Sequence, residues 1–372
     1  MTIPKHVFQE SLLQFLSPVA RYLKDPDVSE IMINGPGQIY IERGGQLELT
    51  SARFDSEESV VAAMRNVAQF CGKQVDEHNP ILEATLPDGS RVQGVLRPLA
   101  TSGPYMAIRR FFQSRLTMQH LIDSGSLSEL AAETLTAMVE GKLNVLISGG
   151  TGTGKTSLLN MLTTCVPEGE RIGVLEDSKE VQVQRPHVFQ LESRQASEDA
   201  GLERVTIRDL FRASLRMRPD RLIIGEIRGG EAVDIVQAMV SGHGGCMGTL
   251  HASSPEEALM RLETMAMMSD VQMPLVALRM QIGSGVDAIV QVTRERSGRR
   301  VVSHISEVAG YSSREDSYQV RHLFLRDYLD EHAPLKPTGT YPYFAERLIE
   351  HGARLPEAFE RQAVREPEAG VA

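Results

Sequence analysis

Residues 143–158 read LNVLISGGTGTGKTSL, an apolar run that breaks into glycines and closes on Gly-Lys-Thr. The spacing of Gly149, four residues, then Gly154, Lys155 and Thr156 is that of a phosphate-binding P-loop. Val145, Leu146 and Ile147 supply a buried strand; Ser157, Leu158 and Leu159 open a helix. Between them the stretch Gly149, Gly150, Thr151, Gly152, Thr153, Gly154 lets backbone N–H groups turn inward around a polyphosphate, at the positive end of the helix dipole. Lys155 can bring an ammonium to the β- and γ-phosphates, and the Thr156 hydroxyl can ligate Mg²⁺. The pattern implies binding of a nucleoside triphosphate, and no Asn-Lys-x-Asp guanine-reading motif accompanies it.

Further residues could act on such a ligand. Leu222-Ile223-Ile224-Gly225-Glu226 is an apolar strand ending in a carboxylate, which a parallel sheet would deliver beside the P-loop. Most P-loop enzymes carry Asp-Glu there; with Gly225 in place of the Asp, Glu226 is the choice for orienting water and metal support must come from elsewhere. The alternative is a surface ion pair with Arg228. Glu176-Asp177 ends the strand RIGVLE in an equivalent position, so Glu176 either supports a magnesium-bound water or caps a turn. In the run from His243 to His251, a neutral imidazole at His251 could donate to the γ-phosphate and report its presence; a structural hydrogen bond is the alternative. Arg91, Arg109 and Arg110 occupy strand positions in the N-terminal third. Guanidinium groups from one domain can close a phosphate site built by another. Alternation places Arg109 and Arg110 on opposite faces, so at most one reaches a nucleotide; charge that blunts sheet edges is the competing explanation.

The elements that must position these groups fall into two sets. Residues 7–23 carry apolar side chains at helical spacing, closed by Asp25-Pro26. Strand-like runs at 30–33, 38–42, 91–96 and 106–111, with a helix from Glu57 to Phe70, predict an α+β domain over 1–112. Residues 113–120 form a polar linker. Over 121–372, helices alternate with continuous apolar runs at 143–147, 171–176 and 221–226, the pattern of an α/β domain with a largely parallel sheet buried on both faces. Two further runs, 288–294 and 299–311, straddle Glu295-Arg296-Ser297-Gly298 and predict a hairpin that extends the sheet antiparallel. Residues 334–343 read as a turn region before a short helix, and the last eight or so residues as frayed.

Composition narrows the function classes. The chain has 372 residues, 41% of them hydrophobic and 24% charged, which suits globular domains. A formal charge of −10 argues against non-specific nucleic-acid binding. No secretory signal pattern and no apolar stretch near the roughly 20 residues of a membrane span is present, so membrane contact is expected only through partners or the surface. Cys71, Cys165 and Cys246 are far apart and offer no metal or disulfide framework.

The run LRMRPDRLIIGEIRGGEAVDIVQAMVSGHGG (215–245) with GTLHASSPEEALMRLETM (248–265) resembles the type II/IV secretion ATPase superfamily. Within it the chain resembles the CpaF/TadA branch of Tad (type IVc) pili, also through EIMINGPGQIYIE (30–42), VDEHNPILEATLPDGSRV (75–92), AIRRF (107–111) and PTGTYPYFAERLIEHGARLPE (337–357). The loop SGHGGCMGTLHA lacks the Asp that commonly follows the first His, and the Cys-x-x-Cys insertion of other branches is absent. The resemblance implies a RecA-like ATPase domain preceded by a PAS-like one, with ATP and Mg²⁺ as ligands. It implies Glu226 as the catalytic glutamate and, with Thr156, a metal-site residue; Glu176 in a second acidic box; and His243 and His251 in a histidine box. Arg91, Arg109 and Arg110 match positions that approach the nucleotide. It further implies a homo-hexamer in the cytoplasm, peripheral at the inner face of the bacterial inner membrane, docked on inner-membrane platform proteins and driving a pilus or secretion machine. The alternatives are an ATPase of a conjugation or type IV secretion system, or a P-loop small-molecule kinase.

Overall fold

The computed structural model describes residues 14–86, 88–111, 116–194, 196, 202–327, 330 and 333–359. Two compact units divide the chain, Met1–Gln113 and Ser114–Ala372.

The first unit is a six-stranded sheet in the order β3-β2-β1-β6-β5-β4, built from β1 (Val28–Asn34), β2 (Ile39–Arg43), β3 (Gln46–Leu49), β4 (Ile81–Thr85), β5 (Arg91–Val95) and β6 (Tyr105–Arg109). Every pairing is antiparallel. Alternation along β1, β2, β5 and β6 sends Ile31, Ile33, Ile41, Val92 and Ile108 into one core. The helix Glu57–Phe70, predicted with the same bounds, adds Val60, Ala63, Met64 and Val67 to that core. It starts where Ser56 and Ser59 exchange side-chain-to-backbone hydrogen bonds, with Glu57 and Glu58 in its first turn. Two strands lay outside the expectation. β3 is exposed along its whole length, its two leucines alternating with Gln and Glu in a run too short to read as a strand, while β4 mixes one apolar pair with Glu and Thr. Of the expected helix over 7–23, residues 7–13 lie outside the described residues; a 3-10 turn Ser17–Val19 and the helix Ala20–Lys24 follow.

The second unit is a nine-stranded sheet in the order β15-β14-β13-β12-β7-β11-β10-β8-β9. Its strands are β7 (Val145–Gly149), β8 (Ile172–Glu176), β9 (Val188–Glu192), β10 (Arg221–Ile224), β11 (Met247–Leu250), β12 (Ala288–Arg294), β13 (Arg300–Ser312), β14 (Ser317–Leu325) and β15 (Lys336–Pro337). From β12 through β9 the neighbours run parallel; β13, β14 and β15 add antiparallel. β7, β8, β10 and β11 are buried at every residue; β7, β8 and β10 accordingly read as apolar runs, whereas β11, Met-Gly-Thr-Leu, does not. The expected hairpin forms, with Arg294 opposite Arg300, Glu295 N–H donating to Arg299 O at 2.8 Å, and Gly298 at φ +88°. β9 and β14 were not expected, because both are half-exposed and carry polar residues among the apolar ones. The short C-terminal helix is Ala345–Glu350; the frayed end expected beyond it lies outside the described residues.

Asn144 sets the register of the strands that carry the chemistry. Its Oδ1 accepts from Cys246 N (3.0 Å) and its Nδ2 donates to Gly285 O (2.7 Å). Its backbone N–H donates to Asp287 Oδ2 (2.7 Å), and its carbonyl accepts from the amides of Asp287 and Ala288. Asn144 thereby ties the start of β7 to that of β11 through its side chain and to that of β12 through its main chain. Asn144→Ala leaves the Cys246 N–H without that acceptor and is expected to lower unfolding stability by about 2–4 kcal/mol, read as a shift in the urea midpoint.

Candidate nucleotide-binding and hydrolysis site

The candidate residues of the second unit gather because four parallel strands end at one edge in the order β7, β11, β10, β8. β7 leads to Lys155, β11 to His251, β10 to Glu226, and β8 ends on Glu176.

The P-loop follows β7 into the helix Lys155–Thr163. Gly152 and Gly154 take φ of +71° and +95°, a left-handed conformation that favours glycine. A Cβ at Gly149 would stand 2.4 Å from the Val292 carbonyl oxygen, so that position requires glycine for room. Thr153 Oγ1 donates to Gly150 O at 2.9 Å and closes the turn. Lys155 is 7% exposed. Its Nζ donates to Gly149 O (3.0 Å), Gly150 O (2.8 Å) and His251 Nδ1 (3.4 Å). Among the described residues no carboxylate forms an ion pair with it, and burial, more than the Arg228 charge, pushes its pKa down.

His251 joins Lys155 to Glu226. Its Nε2 lies 2.9 Å from Glu226 Oε1, and burial, reinforced by the Lys155 charge, lowers its pKa below the ordinary histidine value. The network therefore assigns the neutral tautomer, with Nε2–H donating to Glu226 and Nδ1 accepting from Lys155. The turn after His251 is held by Gln291 Nε2, which donates to Ala252 O at 3.0 Å. The other carboxylate oxygen of Glu226, Oε2, accepts from Arg228 Nη2 at 2.6 Å. Burial pushes the Glu226 carboxyl up, but Arg228, His251 and Lys155 more than offset it, and the net shift is downward. The ion pair with Arg228 and the position beside the P-loop thus occur together.

Glu176 is 4% exposed, and its Oε1 accepts from the amides of Glu180 (2.9 Å) and Val181 (2.7 Å). It shapes the loop after β8 and also explains the missing Asp. A Cβ at Gly225 would stand 2.9 Å from Glu176 Cγ, so the glutamate occupies the room a residue-225 side chain would take. That loop presents Glu180, whose Oε2 is 3.5 Å from Thr156 Oγ1. Glu180, rather than Glu226, is thus the carboxylate beside the expected metal-binding hydroxyl, and nothing in the sequence pattern marked it. Two other side chains went unmarked. Arg294 and Arg300, opposite one another on the hairpin, flank the P-loop: Arg294 Nη1 lies 3.9 Å from the Cβ position of Gly152, and Arg300 Cδ 3.4 Å from that of Gly154. A cavity of about 220 Å³, lined by Leu121, Thr153, Ser157, Val292 and Arg300 among others, opens beside the loop.

One expectation needs correction. His243 precedes β11 and His251 follows it, so a whole parallel strand separates them and they lie at opposite sheet edges within this unit. The His243 loop packs instead where Gly244 meets Lys142 and Gly245 meets Arg221, with the Cys246 thiol donating to the His243 carbonyl. In the first unit, Arg110 is committed locally, donating to the Asp25 and Val28 carbonyls. Arg91 and Arg109 are register partners on one face, and Arg109 pairs with Glu30 at 3.7 Å.

The geometry of these residues fits MgATP. A buried ammonium satisfied only by dipoles suits a polyphosphate, and Thr156 with Glu180 suits an ion that takes one or two protein oxygens and completes its shell from phosphate and water. Among the described residues no group of three or more His, Cys, Asp or Glu is placed to hold a metal unaided. Gly225→Ala should force Glu176 aside and cost about 1–3 kcal/mol, measurable as a lower thermal midpoint; an unchanged midpoint would remove the steric account of this glycine.

A family model described as type II/IV secretion system protein matches residues 13–322. The conjugal transfer protein TrbB of Rhizobium radiobacter is 32% identical over 305 residues, covering 81% of this chain and 89% of that one. The type IV secretion system protein PtlH of Bordetella pertussis is 34% identical over 327 residues, covering 78% and 92%. Among solved structures, the Legionella pneumophila ATPase DotB matches with a TM-score of 0.52 at 19% identity, covering 78% of this chain and 79% of that one. The pilus retraction motor PilT with bound ADP matches with a TM-score of 0.56 at 16% identity, covering 93% and 88%. These two structural likenesses speak to fold alone. By the extent of the family match and the identity and coverage of its relatives, the chain belongs to the type II/IV secretion system protein family.

Proposed function

We propose that this protein is an ATP-hydrolysing motor of a secretion or pilus machine. The observation that carries the reading is the contact chain from the buried Lys155 ammonium through neutral His251 to Glu226, laid along one edge of a parallel sheet. In it Lys155 exchanges its carbonyl acceptors for β- and γ-phosphate oxygens, a charge-assisted gain over neutral dipoles. Glu226 orients the attacking water, and His251, linked to both, reports whether Lys155 has been drawn to phosphate. Thr156 and Glu180 would hold Mg²⁺, which would supply charge neutralisation at the phosphate oxygens. Arg294 and Arg300 flank the same loop, and the cavity between Leu121, Ser157 and Arg300 suits the base and ribose. Arg91 and Arg109 are register partners across β5 and β6, and Glu30 pairs with Arg109.

The relatives named for conjugal transfer and type IV secretion favour the export line. The Tad pilus reading remains as a second one, carried by the resemblance of residues 337–357 to that branch. In both, a cytoplasmic homo-hexamer works against inner-membrane platform proteins. No helix among the described residues is long and apolar enough to cross a membrane.

Lys155→Ala is expected to weaken ATP binding at least about tenfold, measured by titration with a fluorescent ATP analogue. Glu226→Gln should bind the analogue as the wild type does and release phosphate about 10²–10³ times more slowly. A Glu226→Gln protein with wild-type turnover removes Glu226 from the chemistry. Phosphate release that requires an added small-molecule acceptor supports a kinase instead.

A further inference from the structure

Glu226 is held from both sides. His251 occupies Oε1 at 2.9 Å and Arg228 occupies Oε2 at 2.6 Å. A carboxylate shared with a guanidinium is a weaker proton acceptor, and a water approaching Oε2 competes with a fixed cation for it. The other arm of the same fork, Arg228 Nη1, lies 3.7 Å from Asp177 Oδ2. Asp177 sits on the loop after β8 and is anchored there by the Ser193 hydroxyl, which donates to its Oδ1 at 2.9 Å. Arg228 therefore stands between two carboxylates on two different strand ends, close to one and within a small movement of the other.

Its anchoring and exposure fit a transfer between them. The backbone amides of Arg228 and Gly229 are fixed by Glu231 Oε1 at 2.7 and 2.8 Å, so the stem starts from a set point. The side chain is 57% exposed and can swing without opening a hole in the core. Exposure also keeps the pairing weak, so a ligand or a moving neighbour can reverse it. Lysine could not do the same, because a single ammonium has no second arm to hold Asp177 in reach while the first remains on Glu226.

We propose that Arg228 is a positioning residue that holds Glu226 at rest, and that handing its guanidinium to Asp177 frees the carboxylate to orient water. This rests on the reading of Glu226 as the water-orienting group. It makes the loop between β8 and β9 the element that sets the basal hydrolysis rate.

The test reads Glu226 directly and reads turnover separately. Nucleotide-free wild type, Arg228→Ala, Asp177→Asn and the double variant are treated with a water-soluble carbodiimide and an amine, and modification of Glu226 is followed by peptide mass spectrometry. Arg228→Ala should label Glu226 about two- to fivefold faster and raise basal ATP turnover by a similar factor at unchanged KM. Asp177→Asn, having lost the competing acceptor, should slow both in the wild-type background and alter neither in Arg228→Ala. Arg228→Lys, which preserves the charge and guards against loss of folding, should fall between wild type and Arg228→Ala. The proposal is overturned if Glu226 labels no faster in Arg228→Ala, or if Asp177→Asn has the same effect in both backgrounds. Labelling that responds as stated in a wild type that never hydrolyses ATP sinks the functional reading and keeps the contact. Normal wild-type turnover with unresponsive labelling sinks the latch alone.

Discussion

An ammonium group sealed away from water must be met by an anion or by dipoles, and Lys155 is met by dipoles alone: two P-loop carbonyls and one imidazole nitrogen. This arrangement leaves a positive charge unneutralised at the mouth of a glycine-lined turn. Much of the second unit serves to hold it there. β7 must end at Gly149, so Asn144 fixes where β7 begins. His251 must lie beside the ammonium, so β11 must be the neighbour of β7, and the Asn144 side chain ties those two strand starts together through the Cys246 amide.

Strand order then becomes the order of the chemistry. Because β11 lies between β7 and β10, an imidazole stands between the lysine and the glutamate, and its two nitrogens can serve one partner each. Because β8 lies beyond β10, the Glu176 side chain passes over Gly225 and fills the space where other P-loop enzymes carry an Asp. The carboxylate that the glycine removes is not simply lost. The loop that Glu176 ties down presents Glu180 beside Thr156 from the next turn of chain.

The sequence made legible what is local. The P-loop, the strand that ends in Glu226 and the Ser-Gly hairpin each declare themselves within a dozen residues, because the backbone conformations they require restrict residue type locally. What depends on which strands are neighbours stayed hidden. His243 and His251 share one motif, yet a parallel strand carries them to opposite edges. Arg294 and Arg300 look like hairpin charges until β12 pairs with β7 and brings them over the glycines. Glu180 lies in a loop whose path is set by Glu176 rather than by its own pattern. Strands β3, β9 and β14 were missed for a related reason: exposed or half-exposed strands have no continuous apolar run to show.

The central claim is that a neutral His251 links Lys155 to Glu226 in the resting protein and loses Lys155 to phosphate. Nitrogen NMR of ¹⁵N-histidine-labelled protein, with His251→Gln to assign the signal, observes this link directly. Without nucleotide at neutral pH, His251 should appear as the neutral Nε2-protonated tautomer, and its Nδ1 resonance should move when a non-hydrolysable MgATP analogue binds. An imidazolium, an Nδ1-protonated ring, or an Nδ1 signal indifferent to the analogue would contradict it.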